Sequence, residues 1–157
     1  MNTRTLLIVA RAVSLICAPL AGSPAGAVLP ETPKLTLIRL ELAPLDAPSA
    51  ATLATESCVA HVKAGDFAAP IQPCNSAITA AERESLESRI GLVRNRGSAE
   101  DIAAAYNNRA VLRYFSGRLE LAAADASRAN SHSRSEATRN TAAAIDFARK
   151  RNLANGD

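Results

Sequence analysis

The sequence predicts an all-α protein, a stack of about two and a half antiparallel αα-hairpins preceded by an extended N-terminal arm. Three observations lead there. Alanine supplies 34 of the 157 residues, nearly half of the 48% that are hydrophobic, while aromatics make up 3% and tryptophan is absent. Alanine costs least in a helix and lets neighbouring helices pack closely. Helix-start signals and turn glycines alternate from Ser49 onward, with links too short for anything but antiparallel neighbours. Charged residues at 21% and a mean hydropathy near zero exclude a fully disordered chain and a polytopic membrane protein.

Residues 1–27 read as a signal peptide. Arg4 and Arg11 carry the only charges there, the apolar run AVSLICAPLAG follows, and Ala25-Gly26-Ala27 offers a small-residue cleavage site before Val28. A membrane anchor is the weaker reading, because Arg11 interrupts the apolar stretch and each half falls well short of the ~20 residues of a span. A lipidated leader would use Cys17, but bulky Ile16 precedes it. Export to a bacterial periplasm, without stable membrane insertion after cleavage, is the expectation. Loss of Arg4 and Arg11 leaves 16 bases against 15 acids. The remaining basic residues are scattered and lack interleaved aromatics, so no nucleic acid is expected as a partner.

Cleavage would also leave one cysteine pair, Cys58 and Cys74, in an oxidising compartment. They stand 16 residues apart with Gly65-Asp66 near the midpoint, as two cysteines would if they faced each other across the two helices of a hairpin. Two free buried thiols are the alternative. Metal ligation lacks a third or fourth ligand at a suitable spacing.

Residues 28–48 form the arm, with Pro30, Pro33, Pro44 and Pro48 around KLTLIRLEL. Leu35 and Leu37 share one parity, and Ile38, Leu40 and Leu42 the other, so an extended arm with at most a short strand on the body fits better than one clean amphipathic strand; a partly disordered tether is the alternative. The helical domain spans 49–152. Its first helix ends at Gly65, where a left-handed cap is easily adopted. Asp66 can cap the second helix, which starts at Ala69 or later because of Pro70 and Pro73 and runs to about Val93, with Gly91 as a weak point. Ser98-Ala99-Glu100-Asp101 has the form of a capping box and opens a helix from Ala99 to Phe115. Gly117 makes the turn to a partner helix, Leu119 to Ala129. After a polar break, Ser133-Arg134-Ser135-Glu136 offers a second capping box for a final helix to about Asn152, leaving residues 153–157 as a tail.

The segment from Ala105 to Ala129, AYNNRAVLRYFSGRLELAAADASRA, resembles a tetratricopeptide repeat. The resemblance lies in Asn108-Arg109-Ala110, in Gly117, and in Ala122, Asp125 and Ala129 at their respective spacings. It implies that Ala110 and Ala122 lie where the paired helices cross most closely. A weaker copy upstream aligns Cys58 with Ala110, Cys74 with Ala126 and Ala77 with Ala129. Pro70 stands in it where the crossing alanine belongs, and the two glycines are 52 residues apart instead of 34. Asn140-Thr141-Ala142 echoes the first-helix motif and implies a lone closing helix.

The same resemblance implies function. The family binds peptides along the groove lined by each repeat's first helix, a face that here would hold Asn107, Asn108, Val111 and Tyr114. Asparagine amides can hydrogen-bond an extended main chain, and tyrosine supplies contact area. Ordinary packing between repeats is the alternative use of these residues. A protein or peptide partner is therefore expected, or self-association through the exposed ends of the stack, with a homodimer as its simplest form. Catalysis is not expected. His61 reads as a packed or surface residue and His132 as solvated. Glu82, Glu84 and Glu87 with Arg83 and Arg89 read as a solvated helix face. No phosphate loop, metal motif or cofactor signature is present in the sequence.

Overall fold

The computed structural model describes residues 33–40, 48–65, 67, 71–92 and 98–155. They contain five helices: α1 (Ala50–Ala64), α2 (Gln72–Arg89), α3 (Ala99–Phe115), α4 (Leu119–His132) and α5 (Glu136–Asn155). Residues 33–40 are neither helix nor strand. The expected leader, residues 28–32 and 41–47 of the arm, Asp66 and Pro70 lie outside the described residues.

Local chemistry accounts for most helix ends. Ser49 caps α1, its hydroxyl accepting from the Thr52 N–H at 3.1 Å. Gly65 ends α1 in the left-handed conformation, its N–H bonded to the Val62 carbonyl. The expected capping box of α3 is complete: Ser98 Oγ accepts from the Asp101 N–H at 3.1 Å, and Asp101 Oδ2 from the Ser98 N–H at 2.7 Å. Gly117 takes φ +74°, which lets the next N–H, that of Arg118, reach back to the Arg113 carbonyl at 2.8 Å. Gly91 does the same at φ +78° for Leu92 and Glu87, so α2 ends at Arg89 instead of reaching Val93.

Two boundaries differ from expectation. Helix α4 continues to His132, and Ser133 becomes its extended C-cap rather than the start of the next helix. The cap of α5 is Ser135, whose Oγ accepts from Thr138 N–H at 3.2 Å. The Thr138 hydroxyl also donates to the Ser133 carbonyl at 2.8 Å, which ties the two ends together. At its other end α5 runs to Asn155, taking in most of the expected tail.

Helices α1 and α2 pack together, as do α3 and α4; α3 also touches α1, α2 and α5, and α5 lies against α4. The first pair is joined by the Cys58–Cys74 disulfide, with a Cα–Cα distance of 4.6 Å. Ala110 and Ala122, at which the resemblance expects the closest crossing of the second pair, are both fully buried in one cluster with Ala126 and Ile145. Cys58 and Cys74 are likewise fully buried among alanines of the other cluster. At the pair ends, Phe67 stacks on Phe115 at 4.9 Å and its carbonyl accepts from Ser116 Oγ at 3.1 Å.

One substitution and removal of the disulfide test this packing. Ala110→Leu forces a larger side chain into the α3–α4 crossing and is expected to cost about 1–3 kcal/mol in urea unfolding, with the fold retained. Reduction of Cys58–Cys74 opens the loop that the bond closes, returns conformational entropy to the unfolded chain, and is expected to lower stability by about 2–4 kcal/mol. A Cys58→Ser, Cys74→Ser double variant that melts with the wild type would contradict the second expectation.

Candidate functional site

Residues 33–40 bring the arm and the expected groove together. Pro33 favours an extended chain, and the β-branched Thr36 and Ile38 suit it. Asn108, on α3, grips residue 38 at two points: its Oδ1 accepts from Ile38 N–H at 2.8 Å and its Nδ2 donates to the Ile38 carbonyl at 2.7 Å. A carboxamide carries the same donor and acceptor as a peptide group, so this clasp is what a neighbouring strand would supply. Asn107 Nδ2 donates to the Thr36 carbonyl at 2.6 Å. From α5, Thr141 Oγ1 takes the Thr36 N–H at 3.3 Å.

Side chains of the segment complete the seat. Leu35 and Leu37 are half-buried against the helical core, Leu35 touching both clusters and Leu37 the one containing Val111. Arg39 reaches α1, where its Nη2 lies 2.8 Å from Glu56 Oε2 in an exposed ion pair. The segment thus bonds to α1, α3 and α5, the first helix of each pair and the lone closing helix.

The four residues expected to line the groove are used unequally. Asn107 and Asn108 are fully buried and hold main chain. Val111 is 2% exposed and belongs to the core, so it is packing and offers no open surface. Tyr114 is half-buried beside the Ala110 cluster and meets Phe115 edge-on at 5.4 Å. Asn107 Oδ1 is buried and has no partner among the described residues.

A second polar group lies on another face of α3. Asp125, 1% exposed on α4, receives a bidentate bond from Arg109 (both contacts 2.8 Å) and one from Arg113 at 2.6 Å. Arg109 Nη1 also donates to Asn75 Oδ1 on α2 at 2.8 Å, so one guanidinium joins three helices. Burial lowers the Arg113 pKa, against the attraction of Asp125. Next to it, the Tyr106 hydroxyl donates to Glu82 Oε1 at 2.8 Å, and burial, then Glu82, raises its pKa. The Tyr106 ring stacks with His132 at 6.0 Å and has the Arg109 and Arg128 guanidinia over it at 5.4 and 5.6 Å. Each of these groups is engaged by its neighbours, and the arrangement holds helices together.

Sequence reasoning placed Glu84 on a solvated face, and the structure corrects this. Glu84 is 4% exposed, and its Oε1 accepts from the Ala51 N–H at 3.0 Å. A carboxylate there satisfies one of the open donors in the first turn of α1 and complements the helix dipole. Glu82 too is engaged, by Tyr106, while Arg83 and Glu87 form the expected exposed i,i+4 pair at 3.5 Å. His61 is half-buried on α1 and His132 ends α4. Among the described residues no three metal-ligating side chains cluster, and no helix is long and apolar enough to cross a membrane.

Compared with protein-family models, curated proteins and solved structures, the chain matches none.

Removing one member of the buried ion cluster leaves two guanidinia without their counter-charge. Asp125→Ala is expected to destabilise by about 3–5 kcal/mol in urea unfolding. Glu84→Ala, which strands one backbone donor, is expected to lose about 1–3 kcal/mol, and Glu84→Gln less, since the amide oxygen still accepts.

Proposed function

We propose that this chain is a small exported protein-interaction module built from tetratricopeptide-like helical pairs, and that it binds an extended segment of a protein or peptide partner in the cell envelope. The observation that carries this reading is the two-point clasp of Asn108 on the main chain of residue 38. Main-chain recognition of this kind requires an extended ligand but is nearly indifferent to its side chains, which suits a binding module.

Other features support the repeat reading. Ala110 and Cys58, aligned in the two pairs, are both fully buried, as are Ala77 and Ala129. The segment 33–40 runs over α1, α3 and α5, the helices whose inner faces the repeat family uses for peptides. Thr141, from the Asn140-Thr141-Ala142 echo, contributes to that face. Export is supported by the Cys58–Cys74 disulfide, a bond that persists in oxidising compartments. Binding is favoured over catalysis because Asp125, Arg109 and Glu84 are engaged in joining helices and Asn107 and Asn108 in holding main chain.

Self-association is the second reading, and exposed apolar side chains favour it. Leu86, Ile90 and Leu92 are 58, 63 and 72% exposed around the end of α2, and Phe147 and Leu153 are exposed on α5. Stacking of copies would cover such surfaces. Light scattering separates the two: a mass that stays monomeric as concentration rises argues against stacking.

The binding reading is tested with a photocrosslinking residue in place of Glu56, beside the segment, in exported protein. Crosslinks to a partner are expected, and Asn108→Ala should weaken them by roughly the tenfold or more that two lost hydrogen bonds are worth. Crosslinks unchanged by Asn108→Ala would place the partner elsewhere.

A further inference from the structure

We infer that segment 33–40 is a built-in competitor for this groove, and that the external ligand is a partner protein's extended segment repeating its chemistry: aliphatic, any residue except proline, aliphatic, any residue except proline, basic. The inference rests on the peptide-binding reading above and adds the ligand's pattern and its regulation.

The pattern follows from the seat. Leu35 and Leu37 supply the two aliphatic side chains against the core. The residues at the Thr36 and Ile38 positions must keep their N–H groups, because Thr141 Oγ1 and Asn108 Oδ1 accept them, and proline has none. Arg39 shows that a cation at the next position meets Glu56.

The competition follows from how the segment is held. Its specific bonds go to main-chain atoms of Thr36 and Ile38, and any extended peptide offers the same atoms. Its anchoring leucines are only half-buried, and its ion pair is exposed and hence weak. Asn107 Oδ1, buried in the groove, is left without a donor among the described residues, whereas the neighbouring Asn108 uses both ends of its amide. The resident segment therefore leaves one acceptor unmet that a differently registered ligand can fill. Because the segment belongs to the same chain, it competes as an intramolecular ligand, and the apparent affinity of any external peptide is its intrinsic affinity multiplied by the fraction of grooves left open.

The test uses the full exported chain and a fluorescein-labelled synthetic peptide of residues 34–40, KLTLIRL, read by anisotropy. Ile38→Pro in the protein weakens the resident segment and is expected to raise affinity for the probe about tenfold over wild type. Arg39→Glu, which sets a carboxylate against Glu56 at an exposed site, is expected to shift affinity the same way by two- to fivefold and serves if Ile38→Pro does not fold. Adding Asn108→Ala to either variant should abolish binding, as should proline in place of isoleucine in the probe. Equal affinity for wild type and both segment variants, with binding still lost in Asn108→Ala, would overturn the competitor while leaving the groove reading intact. No binding by any folded variant would overturn both. A wild-type dimer that Asn108→Ala converts to monomer would assign the groove to the segment of a second copy and overturn the intramolecular competition.

Discussion

Helix α3 packs against all four other helices, and a helix so placed must find partners for most of the polar groups it carries. Ten of its 17 residues are buried, among them Asn107 and Asn108. A buried amide or guanidinium without a partner costs more than most single packing contacts contribute. That constraint organises the rest of the molecule around α3. Ala110 brings α4 close, Arg109 and Arg113 find Asp125 there, Arg109 continues to Asn75 on α2, and the two asparagines find the main chain of residues 36 and 38.

The alanine-rich composition explains why polar links matter so much. A core of alanines and a few valines and isoleucines buries little apolar area per residue, so it specifies helix positions weakly. Directional contacts supply the specificity instead. The disulfide holds α1 to α2, and the Glu84 carboxylate sets the end of α2 against the first turn of α1. Asp125 sets α3 against α4, and Arg149 bonds to Glu120 between α5 and α4 at the surface. The groove uses the same device, since it is polar side chains of a buried helix that hold the extended segment.

What could be read from the sequence divides by distance along the chain. Ser98 with Asp101, Gly65 and Gly117 carry their structural meaning within a few residues, and α3 and its turn follow from them directly. The start of α5 does not, because Ser133 and Ser135 both head an acceptable capping pattern. The structure uses Ser133 to end α4 and Ser135 Oγ to cap the Thr138 N–H. Glu84 has no local mark at all: its partner, the Ala51 N–H, is 33 residues away, and the neighbouring Glu and Arg residues make it look solvated. The groove lies between these cases. Asn107 and Asn108 were legible as main-chain binders and residues 33–40 as an extended stretch, but nothing in either pattern says that they meet across 70 residues. The one available signal was chemical complementarity, an extended apolar segment and a pair of asparagines within one chain.

The groove depends on Asn108 holding the main chain of residue 38, and amide hydrogen exchange by NMR reads that bond directly. In the wild type the Ile38 amide should exchange far more slowly than an unstructured amide, and Asn108→Ala should return it to the unprotected rate while the amides of α4 stay protected. An Ile38 amide that exchanges at the unprotected rate in the folded wild type would contradict the clasp and, with it, the groove.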